Sequence, residues 1–110
     1  MLVRKEKVAM NKELMPEIIV LIWSEEDGNI CVQLGTEKIV LNKTASIVWK
    51  YIDGFKSVGE IIQEIFEEYK ETDSHETVSN VVIESLKMFE KERLINLKEE
   101  VDFEGWLKYE

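Results

Sequence analysis

The sequence predicts a small α+β domain, winged helix-turn-helix-like, with a three-stranded antiparallel sheet followed by three helices. Three observations carry this. Short β-branched runs separated by glycine turns follow an N-terminal arm and reach about residue 42 of the 110-residue chain, apolar spacing changes from two to between three and four at Asn42, and three capped amphipathic segments follow.

The strands come first. Pro16 opens "EIIVLIW", Glu17 to Trp23, whose shortness and β-branched content favour a strand. "SEEDGN" holds an Asp27-Gly28 turn, the strongest short-range hairpin signal, and "ICVQL" returns with Ile30, Val32 and Leu34 on one face. A second turn at Gly35 to Glu37 leads into "KIVLN", Lys38 to Asn42, completing a meander.

Helical signals begin at Asn42, an N-cap candidate. Ala45, Val48, Trp49 and Ile52 recur at helical spacing, and Gly54 stands where a left-handed cap ends a helix over Lys43 to Asp53. Ser57 and Glu60 form a capping box for a second helix reaching about Tyr69, with Val58, Ile61, Ile62, Ile65, Phe66 and Tyr69 as its stripe. "KETDSHE" is a polar break. Asp73 with Glu76 is expected to cap a third helix from Ser74 to about Glu92, and "RLINL" reads as a short extended ending.

Helix three is wider in its apolar arc than one-sided packing needs. With Val78 at zero and about 100° per residue, Val82, Leu86, Ser85 and Phe89 form an ordinary stripe; Val81 and Met88 extend it on one side and Ile83 on the other. Fuller burial and an exposed groove wall both account for the excess.

Composition narrows the function. The formal net charge is −9, with 23 acidic against 14 basic residues, which repels the phosphate backbone that dominates nucleic-acid affinity. No nucleic-acid or membrane partner is expected, since no segment is long and apolar enough to span a bilayer; the expected location is cytoplasmic. Cys31 is expected to be a small buried hydrophobe. His75, the single histidine, falls at the start of helix three with no base or metal partner, and no metal or cofactor is expected. The carboxylates sit in runs interleaved with lysine, as solvated helix faces do, and no phosphate-cradling glycine motif is present. No set of residues is arranged for catalysis, so the protein is not expected to be an enzyme.

The run "IVLNKTASIVWKYIDGFKSVGEIIQEIFEEY", then an acidic break and "VSNVVIESLKMFEKERLI", resembles the PqqD family of coenzyme PQQ synthesis protein D over about Ile18 to Leu97. Leu41, Asn42, Thr44, Ala45, Val48, Trp49, Asp53, Gly54 and Ile61 carry the pattern. The resemblance implies a RiPP recognition element: a peptide chaperone that binds the leader of a ribosomally made precursor peptide and presents it to a modifying enzyme, typically a radical S-adenosylmethionine (radical SAM) protein. It implies strand addition beside Glu37, Lys38, Ile39, Val40 and Leu41, in a cleft walled by Val78, Val81, Val82, Ser85, Met88 and Phe89 of helix three. Lys38 and Lys43 flank that strand and suit acidic leader residues.

On this reading residues 1–15 are a basic arm, 16–97 the peptide-binding domain and 98–110 an acidic tail carrying Val101, Phe103, Trp106, Leu107 and Tyr109. The arm and tail are longer than the family pattern. The tail is a candidate occupant of the cleft of its own or a neighbouring chain, which leaves a homodimer or domain swap open. The alternative is a winged-helix transcription regulator, against which Glu76, Glu84, Glu90 and Glu92 outnumber Lys87, Lys91 and Arg93 on the third helix.

Overall fold

The computed structural model describes residues 10–99; the basic cluster at Arg4, Lys5 and Lys7 and the aromatic tail from Val101 onward lie outside them. The elements in chain order are β1 (Met15–Ile18), β2 (Ile22–Glu26), β3 (Asn29–Leu34), β4 (Glu37–Val40), α1 (Lys43–Lys50), α2 (Val58–Tyr69), α3 (His75–Lys91) and β5 (Ile95–Lys98). The architecture is α+β, with an antiparallel sheet of order β2-β3-β4 and a separate pair, β1-β5.

The run expected as one strand, Glu17 to Trp23, is two strands serving different sheets. Hairpin arithmetic is the reason. Asp27 and Gly28 both take positive φ, 54° and 85°, the signature of a tight two-residue turn that sets Glu26 opposite Asn29. Every later pair is then determined, so β2 must use residues 22–26 and Trp23 faces Val32. The leftover apolar residues pair elsewhere, Pro16 with Leu97 and Ile18 with Ile95. The "RLINL" ending thereby becomes β5.

The last residues of the basic arm are bonded to α2. The carbonyls of Leu14 and Lys12 accept the Val58 and Gly59 N–H groups at 2.8 and 2.9 Å, satisfying donors that the first turn of α2 cannot bond internally. A Cβ at Gly59 would meet the Lys12 carbonyl oxygen at 3.4 Å, the near limit of ordinary contact.

The helix caps match the sequence in two cases and depart from it in two. Asn42 caps α1 through the Ala45 N–H, and Ser57 with Glu60 forms the full capping box of α2. Helix α1 ends at Lys50, earlier than expected, and the Asp53 carboxylate holds the following turn by accepting the Phe55 and Lys56 N–H groups. Ser74 caps α3, accepting the Thr77 N–H, in place of the expected Asp73 and Glu76 pair. At the far end Arg93 takes φ 64°, while Leu94 N–H bonds the Phe89 carbonyl and Arg93 N–H that of Glu90. These are the paired bonds of a Schellman motif, with arginine where glycine is favoured.

Ile30 and Val32 of β3, with Leu41, pack against Val48 and Trp49 of α1, the Ile61-Ile62 pair of α2 and Val82, Leu86 and Phe89 of α3. Trp49 is at the centre, its ring edge-on to Trp23 at 5.7 Å and to Phe89 at 5.2 Å. Cys31 is buried, as expected, and His75 is exposed on the first turn of α3, edge-on to Phe66.

Candidate functional site

Strand β4 is an edge of its sheet, bonded to β3 alone. Which of its backbone groups remain open follows from one bond. Leu41 N–H donates to the Ile30 carbonyl at 2.8 Å, and antiparallel pairing alternates, so Ile39 and Glu37 also turn their polar groups toward β3. Lys38 and Val40 therefore turn theirs outward. Side chains alternate too: Leu41 is buried and Ile39 half-buried on the core side, whereas Lys38 and Val40 stand on the other face, Val40 being 59% exposed.

The junction of β4 with α1 is held by Ser46, itself buried. Its Oγ accepts the Ile30 N–H at 2.9 Å and donates to the Leu41 carbonyl at 3.4 Å, and the Asn29 side-chain amide donates to that same carbonyl at 2.7 Å. Side chains thus complete the ladder where the main chain leaves the sheet to begin a helix. The direction of the β4 edge relative to α1 and α3 depends on them.

Two residues beyond Val40, a groove opens between α1 and α3. Its first section, about 220 Å³, is lined by Asn42, Thr44 and Ala45 on one side and by Val81, Glu84, Ser85 and Met88 on the other. The second, about 300 Å³, continues past Thr44 and Val81 to Ile47, Val48, Ile65, Tyr69, Asp73, Thr77 and Val78. The wide apolar arc of α3 is thus explained on both flanks. Ile83 is buried in the core, and Val81 and Met88 are half-buried groove wall.

The expected site residues divide accordingly. Lys38 and Val40 offer an open edge, Glu37 is exposed at its start, and Val81, Ser85 and Met88 face the groove. Leu41, Val82 and Phe89 are closed off in the core, so they back the site without forming its surface. Val78 is buried but borders the second section. Lys38 lies 3.6 Å from Glu26, an exposed pair.

Thr44, Ile47, Asp73, Thr77 and Glu84 also line the groove and were not expected there, although Thr44, Asp73 and Glu84 figure in the sequence in other roles. One signal was available: Ile47 lies about 200° from Ala45 on a helical wheel, an apolar residue away from the core stripe of α1. Neither titratable side chain with a resolved pKa shift is in the groove. Tyr51 is pushed up to about 12, chiefly by its hydrogen bond to Glu68, and backbone N–H donors hold the Asp53 carboxyl below its usual range. No group of three potential metal ligands occurs among the described residues, and no helix there is long and apolar enough to cross a membrane.

An α+β domain with an open sheet edge leading to a groove between helices is the class of protein that these features define. The family model described as Coenzyme PQQ synthesis protein D (PqqD) matches residues 21–95; the chain belongs to the PqqD family. No curated protein and no solved structure matches it.

Proposed function

We propose that the protein is a non-catalytic, cytoplasmic adaptor that binds the leader of a ribosomally synthesised precursor peptide and presents it to a modifying enzyme, a radical SAM protein in this reading. Membership of the PqqD family supports the class of partner. The observation that carries the site is the outward-facing backbone of Lys38 and Val40, ending two residues before a groove in which Val81 and Met88 stand among polar side chains. An unpaired edge is a liability in a soluble protein unless something pairs with it. A peptide strand added there gains sequence-independent bonds from the edge and sequence-dependent contacts from the groove.

Magnitudes assign the two roles. The N–H and C=O groups of two residues allow about four backbone bonds at about 1 kcal/mol each. Two apolar side chains seated against Val81 and Met88 add about 2 kcal/mol each, and ordering the leader takes back about 2 to 5 kcal/mol. The anchors, comparable to the whole ladder, decide which peptide stays bound.

The test is a titration of isotope-labelled protein with candidate precursor leaders, chosen from short reading frames near its gene, read as backbone and methyl chemical shifts. Changes at Lys38, Val40, Val81, Ser85 and Met88 are the expected result. Saturable changes confined to other surfaces would reject the site.

A further inference from the structure

The second section of the groove has features that edge pairing does not use. It is walled by Ile47 and Val48 of α1, Ile65 and Tyr69 of α2 and Val78 and Val81 of α3. At about 300 Å³ it is twice the roughly 150 Å³ of an apolar cavity that holds benzene, room enough for an indole or a large aliphatic group. Its polar rim is asymmetric. Asp73 borders it, exposed, forming no ion pair among the described residues, with one carboxylate oxygen 3.3 Å from the Thr72 hydroxyl. Tyr69 beside it ends α2, and the C-cap Lys70 that follows is engaged by Glu67 at 3.1 Å. On the same side, at the start of α3, Ser74 accepts the Thr77 N–H at 3.1 Å. An apolar pocket with this single carboxylate on its rim favours an amphipathic cation.

We propose that this pocket is a second recognition subsite, taking a large apolar side chain whose neighbouring ammonium or guanidinium group lies at Asp73. Its natural occupant, on the peptide-docking reading above, is a further segment of the same leader, because Thr44 and Val81 line both sections and make them one channel. The leader then carries an apolar residue beside a lysine or arginine, in addition to the residues that pair with β4.

The experiment needs no precursor, so its failure is distinguishable from failure of the docking reading. Full-length protein with labelled methyl groups is titrated separately with tryptamine and with indole-3-acetate, which share a ring and differ in the sign of the charge. Tryptamine is expected to shift the Ile47, Ile65, Val78 and Val81 methyl signals saturably and to bind about threefold more tightly than indole-3-acetate, the scale of an exposed ion pair. Asp73→Asn, an exposed substitution, is expected to abolish the preference. No saturable shift, equal binding of the two probes, or a preference that survives Asp73→Asn would each overturn the proposal. So would a change in these signals on Trp106→Ala with no probe added, which would assign the pocket to the chain's own tail.

Discussion

Ser46→Ala tests the joint that aims the β4 edge. The substitution removes the acceptor of the Ile30 N–H, a bond of 2.9 Å between two buried groups. A buried donor without a partner costs about 1 to 3 kcal/mol. Alanine returns about 0.5 kcal/mol through its helix propensity, and the Leu41 carbonyl retains the Asn29 amide at 2.7 Å. The expected loss is about 1.5 kcal/mol, or about 10 °C in Tm for a domain of this size. Asn29→Ala alone is milder, about 0.5 to 1 kcal/mol, because the Ser46 hydroxyl still serves Leu41. In the double variant that carbonyl loses both side-chain donors, so the combined loss exceeds the sum of the single losses by about 1 kcal/mol. Urea unfolding with an unchanged m-value measures all three, and hydrogen exchange at the Ile30 amide reports the bond directly. A loss under about 0.5 kcal/mol for Ser46→Ala, or strictly additive costs, refutes the claim that Ser46 and Asn29 jointly complete the ladder.

Arg93→Gly is expected to stabilise the protein by about 0.5 to 1 kcal/mol, because glycine occupies positive φ without the strain that arginine bears there; thermal unfolding checks the sign. Tyr51 holds its proton more tightly when folded, so its contribution is complete below pH 10.0 and is lost as pH rises toward about 12. Tyr51→Phe should therefore flatten the alkaline fall in stability between those values relative to the parent. Asp53 has the opposite sign: its lowered pKa adds stability above the usual carboxylate range that disappears on acidification, and Asp53→Asn should weaken that acid dependence. Met88→Lys, at a half-buried groove position, is expected to weaken leader binding about tenfold or more with a Tm change of only a few degrees, measured by titration and thermal unfolding. Unchanged affinity would remove Met88 from the docking surface.

Local chemistry made much of the fold legible. The Asp27-Gly28 hairpin, the Asn42 cap and the Ser57-Glu60 capping box depend on residues within a few positions of one another, and each appears where the sequence predicts it. The excess apolar arc of α3 was visible as well, but not its meaning. A stripe records that side chains avoid water, and says nothing of whether another helix meets them fully, as for Ile83, or at an angle that leaves a groove, as for Val81 and Met88.

What the sequence by itself determined was the hairpin at Asp27-Gly28, the strand before Asn42 and the three helices that follow in order. Only tertiary structure decided that Glu17 to Trp23 divides between two sheets, because β1 gains its partner from β5 at the other end of the described residues. It also decided which edge groups are free, since that follows from pairing across β3 and β4. The channel past Thr44 and Val81 belongs there too, because its walls come from three helices whose approach depends on packing around Trp49 and not on any one segment's pattern.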